Sequence, residues 1–95
     1  MMSTVDSNKA RLAVSLLEDV VNGRHSATDA LAQWPDVTQG DSLLQLSWHD
    51  LSHFAVDADI RARDPKYAKY QRDLLTTRIR EIRETYKFTG ALFGP

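Results

Sequence analysis

The sequence predicts an all-α domain, a four-helix antiparallel bundle with a short second helix and a long C-terminal one. Three observations carry that expectation. Apolar residues recur at helical spacing in each patterned stretch. Proline and glycine stand at the ends of those stretches rather than inside them. No run alternates long enough to read as a strand. The chain has 95 residues, 42% of them hydrophobic, enough for one core, so residues 1–95 read as a single helical domain. Within it, residues 1–7 read as a polar, frayed N-terminus, and 88–95 as an apolar tail that folds back on the bundle or offers itself to a partner or a second copy.

The elements follow in order. From Asn8 to Asn22, Leu12, Ala13, Leu16, Leu17 and Val20 share one face, with Val14 and Val21 widening it, and Asn22-Gly23 supplies a left-handed stop. Ser26, with Asp29 three residues on, resembles a capping box that opens the second helix. That helix turns Ala27, Ala30, Leu31 and Trp34 to a core, and Pro35 ends it. Residues 36–40 have turn chemistry. Asp41 or Ser42 caps the third helix, which runs to Val56 with Leu44, Trp48, Leu51 and Ala55 as its stripe, flanked by Leu43 and Phe54. Asp57 to Arg63 reads as one more helical turn, capped by Asp57 and with Ile60 pinned inward. The last helix has the strongest signal. Asp64-Pro65 forms its N-cap and first position, and Tyr67, Ala68, Leu74, Leu75, Ile79, Ile82 and Tyr86 share its broad apolar face. Trp34, Leu44, Trp48, Leu51, Phe54, Leu74, Leu75, Ile79 and Ile82 are the expected core.

Composition narrows the function classes. There is no cysteine, which removes disulfide and thiolate chemistry and suits a cytoplasmic setting. No apolar run approaches the roughly 20 residues of a membrane span, and MMSTVDSNKA lacks the basic-then-apolar order of a secretion signal. The net charge of −1 hides an asymmetry: residues 1–60 hold three Lys/Arg against nine Asp/Glu, and residues 61–95 hold nine against four. Either the two halves neutralise each other on packing, or the domain carries two surfaces of opposite sign. The basic residues near the C-terminus are interleaved with Asp73, Glu81 and Glu84, and a pI of about 6.3 is not that of a dedicated nucleic-acid binder.

Three groups of side chains carry candidate chemistry. His49, His53 and Asp57 form an H-x3-H-x3-D series, and histidines at i and i+4 can reach one Zn²⁺ or similar divalent ion, with Asp57 as a third donor. The alternative is a solvated polar face opposite the Leu44/Trp48/Leu51 stripe. Asp50, Asp57 and Asp59 belong to an acidic concentration around the third helix, suited to steering a basic protein partner. Gln71 and Arg78 interrupt the apolar face of the last helix. Arg78 either lays its stem along the core edge with a wet head, or pairs with Asp50 or Asp57. No phosphate-cradling glycine loop and no Ser/His/Asp nucleophile signature is present, so no catalytic residue is assigned and an enzyme is not expected.

The order of segments resembles that of small bacterial immunity proteins of the colicin D immunity type. The residues concerned are a first helix, then Asn22-Gly23-Arg24-His25-Ser26-Ala27 opening a short helix, then a helix with Trp48, Leu51 and Phe54 beside an acidic run, then the long last helix, over about residues 10–86. The resemblance implies a four-helix bundle and a non-catalytic toxin inhibitor whose acidic side chains, here Asp50, Asp57 and Asp59, cover a basic active site. The basic last helix departs from that pattern. The W-H-x-L-x-H-F and D-x-D-I-R layouts are also similar to those of uncharacterised bacterial proteins. The expected function is a protein-interaction module, possible also as a homodimer because each helix has a wide apolar face. The alternative is a metal-binding protein or metal-dependent enzyme using His49, His53 and Asp57.

Overall fold

A computed structural model describes residues 4–35 and 42–86, and within them the chain is all-α. Five helices follow one another: α1 (Thr4–Val21), α2 (Ala27–Gln33), α3 (Ser42–Val56), α4 (Ala58–Arg63) and α5 (Pro65–Tyr86). The tail at 88–95 and the turn at 36–40 lie outside the described residues. The first helix starts at Thr4, not at Asn8, because nothing in Thr4–Ser7 breaks a helix already nucleated by the apolar stretch behind it.

α1 ends where expected, and its end has a mechanism. Gly23 takes φ +77°, the Arg24 amide donates to the Asp19 carbonyl at 2.7 Å, and the Gly23 amide donates to the Val20 carbonyl at 3.1 Å. That is the hydrogen-bond pattern of a Schellman cap. Asp19 also fastens the turn with its carboxylate, 2.9 Å from Arg24 Nε and 3.1 Å from His25 Nδ1. A Cβ added at Gly23 would touch nothing within 4 Å, so Gly23→Ala isolates the cost of the left-handed backbone. A loss of about 1 kcal/mol in chemical denaturation, with an unchanged slope, is expected.

α2 opens as a capped helix, with Ser26 Oγ accepting from the Asp29 amide at 3.0 Å. Asp64 does the same for α5, accepting from the amides of Lys66 and Tyr67 at 3.1 and 3.2 Å. The core is built from Ala10, Ala13, Val14, Leu16, Leu17 and Val20 of α1, Ala27 and Ala30 of α2, Leu44 and Leu51 of α3, and Leu75, Ile79, Ile82 and Tyr86 of α5. α5 packs mainly along α1 and also meets α3 and α4, while α2 lies against α3 and α1.

Two core expectations are corrected. Trp48 is 46% exposed, and Ser47 takes the inward position beside Leu44 and Leu51. Leu44, Ser47 and Leu51 follow the i, i+3, i+7 spacing of a helix seam, which leaves Trp48 on its flank. Serine is small enough to let the helices approach, and it satisfies its own hydroxyl by donating to the Leu43 carbonyl at 2.8 Å. Ile60 is also exposed, since α4 buries no side chain at all. Trp34 and Phe54 are half-buried against the core, and Leu74 is half-buried on α5.

Two ion pairs join the oppositely charged halves. Arg83 of α5 reaches Glu18 of α1 at 2.6 Å, and Arg78 of α5 reaches Asp50 of α3 at 2.6 Å. No helix among the described residues is long and apolar enough to cross a membrane.

Candidate functional site at the face between α3 and α5

Helical spacing decides what α3 shows to its surroundings. Beside its inward seam it has an outward stripe of Leu46, His49, His53 and Val56, at i, i+3, i+7 and i+10, all exposed. Between this stripe and α5 lies an open cleft of about 300 Å³ lined by His49, Asp50, His53, Phe54, Tyr67, Tyr70, Gln71 and Leu74. His49 and His53 meet edge to face, with ring centroids 4.6 Å apart and their Nε2 atoms 3.1 Å apart. Tyr67 and Tyr70 stack at 6.0 Å on the α5 side.

Two of the lining residues, Tyr67 and Gln71, belong to a hydrogen-bond network with Asp57 and Arg61. The Asp57 carboxylate accepts from the Tyr67 hydroxyl at 2.6 Å and from Gln71 Nε2 at 3.1 Å. Gln71 Oε1 in turn accepts from Arg61 Nη1 at 2.8 Å. Arg61 also donates to the Phe54 carbonyl and lays its guanidinium 3.5 Å from the centre of the Phe54 ring. Gln71 is 6% exposed and satisfied at both ends, which is why a polar residue is tolerated in an otherwise apolar face.

This network reassigns Asp57. Its side chain makes no cap hydrogen bond to α4. It turns to Tyr67 and Gln71 instead, because a phenol and an amide held on the neighbouring helix offer better-placed donors than the first amides of a one-turn helix. Asp57 therefore does not join His49 and His53: among the described residues no group of three or more His, Cys, Asp or Glu is placed to hold a metal ion. Nor does the acidic set present one outward face. The Asp50 side chain is only 12% exposed and paired with Arg78, Asp57 is half-buried, and Asp59 alone of the three is exposed.

Arg78 takes the paired alternative, with Asp50 as its partner. Its head is 17% exposed and divides between Asp50 and Glu81, the latter at 2.7 Å from Nη1. The hydrogen bond that Arg78 donates to Asp50 raises the Arg78 pKa above its ordinary value, against the opposing effect of burial. At Arg61 burial is the larger effect and lowers the pKa, offset in part by the Asp57 charge.

Tyr67 holds its proton more tightly than an ordinary tyrosine, first because that proton is donated to Asp57, then through loss of solvent. A raised folded-state pKa means that the stabilisation is complete below the unfolded value of about 10 and is lost as pH rises through the folded one. In a phenolate absorbance titration, Tyr67→Phe is expected to remove one phenol that titrates above the ordinary tyrosine value. An unchanged high-pH limb would show that Asp57 is not its acceptor.

Sequence reasoning reached His49, His53, Asp50 and Asp57, but missed Tyr67, Tyr70 and Arg61 as parts of one assembly. The available signal was the D-x-x-x-R spacing from Asp57 to Arg61 followed by aromatic residues one helix later. Comparison with protein-family models, curated proteins and solved structures returned no match, so the likeness to immunity proteins rests on the residue pattern alone.

Proposed function

We propose that this chain is a non-catalytic protein-interaction module, with its four longer or better-capped helices packed as an antiparallel bundle and its docking face formed by the outer side of α3 and the start of α5. One observation carries the reading. Tyr70, 59% exposed, lines the open cleft between α3 and α5, and Leu46 and Val56, 42% and 76% exposed, stand on the same outward stripe of α3 as the cleft-lining His49 and His53. Large apolar and aromatic side chains standing around an open groove are the typical anchors of a protein interface. The charged groups nearby support the same reading. Asp50, Arg78, Asp57 and Arg61 are engaged within the fold, so they shape the groove rather than act on a substrate.

The inhibitor role implied by the resemblance to immunity proteins is proposed in a narrower form. Asp59 is the acidic side chain positioned to meet a basic partner, with Asp50 and Asp57 holding α5 in place.

The test is retention of a stoichiometric protein partner from the source cell on the immobilised chain. Val56→Asp combined with Tyr70→Ala is expected to lose that partner, while Leu12→Ala, on the exposed side of α1, retains it. Equal retention by all three chains, or none by the wild type, would refute the proposed face. If the partner is a basic toxin, Asp59→Lys weakens its capture as well.

A further inference from the structure

The geometry points to a two-histidine binding site for a borderline divalent transition metal, Cu²⁺, Ni²⁺ or Zn²⁺, formed by His49 and His53 without Asp57. The argument begins with the ring atoms. The two Nε2 atoms face each other at 3.1 Å. In that position they need something between or beside them, because two lone pairs turned to one another repel. One proton can serve, making one ring the donor and the other the acceptor. A metal ion serves equally. With metal–nitrogen bonds of about 2.05 Å, a separation of 3.1 Å subtends about 98° at the metal. That lies between the right angle of a square or octahedral shell and the tetrahedral angle, so the pair already stands at the spacing of neighbouring ligands.

Three further features fit. Both histidines sit one turn apart in the middle of α3, a 15-residue helix whose inner seam is fully buried, so the ligand spacing is held by backbone rather than by loops. Both rings are exposed, so a hydrated ion can enter and keep its remaining water ligands. The carboxylates that line or adjoin the cleft, Asp50 and Asp57, are committed to Arg78, Tyr67 and Gln71, which leaves imidazole nitrogen as the donor on offer. Imidazole selects Cu²⁺, Ni²⁺ and Zn²⁺ over Mg²⁺ and Ca²⁺, which require oxygen. His25, the third histidine, is occupied elsewhere, with Nδ1 3.1 Å from Asp19. The open positions of the bound ion face the cleft mouth, where one external imidazole or carboxylate could complete them.

The experiment is calorimetric titration of the untagged chain with NiCl₂, ZnCl₂ and CuCl₂, together with thermal melts. One site per chain is expected, with Cu²⁺ bound more tightly than Ni²⁺ or Zn²⁺, a melting temperature that rises with each ion, and no response to MgCl₂. His49→Ala and His53→Ala should each weaken binding by at least about tenfold, since even losing a residue that only supports a ligand costs about that much. His25→Ala should leave it unchanged. Both substituted side chains are exposed, so far-UV circular dichroism of the variants should match the wild type. As an independent readout, Cu²⁺ should broaden the ring resonances of His49 and His53 before those of His25. Absence of binding by the wild type, unaltered binding in His53→Ala, or broadening led by His25 would each overturn the assignment.

Discussion

Leu51→Ala is expected to destabilise the domain by about 3 kcal/mol, within the roughly 2–5 kcal/mol found for truncating a fully buried leucine. Leu51 has no exposed surface and stands on the inner seam of α3 between Leu44 and Phe54. Removing its isobutyl group forfeits the transfer free energy of about three methylene-sized groups, and leaves a void because rigid helices cannot collapse into it. For a chain of this length the melting temperature should fall by more than about 10 °C. Leu46→Ala, one face away and 42% exposed, should change it by less than about 3 °C. A similar loss at both positions would mean that α3 is rotated from the orientation described. The contrast uses one substitution type on one helix, so helix propensity cancels.

The second large effect concerns Arg78 and Asp50. Arg78→Ala strands a carboxylate that is 12% exposed and has lost its nearest cation, and about 2–4 kcal/mol should disappear. Asp50→Ala should cost a comparable amount, because Arg78 keeps only the half-exposed Glu81. The double variant Asp50→Leu/Arg78→Leu should recover most of the loss, since replacing both members with apolar side chains removes the desolvation penalty along with the attraction. Urea denaturation of the wild type, Asp50→Ala, Arg78→Ala and Asp50→Ala/Arg78→Ala completes a double-mutant cycle. Additive losses would show that the 2.6 Å contact contributes no coupling and that the pair acts only as packing.

What could be read from the sequence, and what could not, divides by the distance over which the deciding interaction acts. The caps at Ser26, Gly23 and Asp64 were legible because each is settled within three to five residues of chain. Arg78 was legible as an interruption of an apolar face with two outcomes, a wet head or a carboxylate partner, and only the fold chose Asp50, 28 residues away. Trp48 was misjudged because a helical wheel ranks positions by apolarity, whereas close packing of α3 selects by shape and admits Ser47, which bonds its own helix. Asp57 was misassigned for the opposite reason. Its local role as a cap was plausible, but its actual donors arrive 10 and 14 residues later on another helix. The cleft could not be foreseen, because it exists only once α3 and α5 are side by side.

The short turn between α3 and α5 has a consequence of its own. α4 has six residues, none of them buried, and what secures it is the Arg61 guanidinium together with the neighbouring Asp57 carboxylate. Unzipping it would therefore uncover almost no apolar surface. In native-state hydrogen exchange, its amides are expected to open in a unit nearly indifferent to urea but sensitive to ionic strength, while those of α1 and the middle of α5 open only with the whole molecule; α4 amides with the urea dependence of α5 would refute this. The connection between α3 and α5 is thus a polar latch, expected to open while the core stays closed.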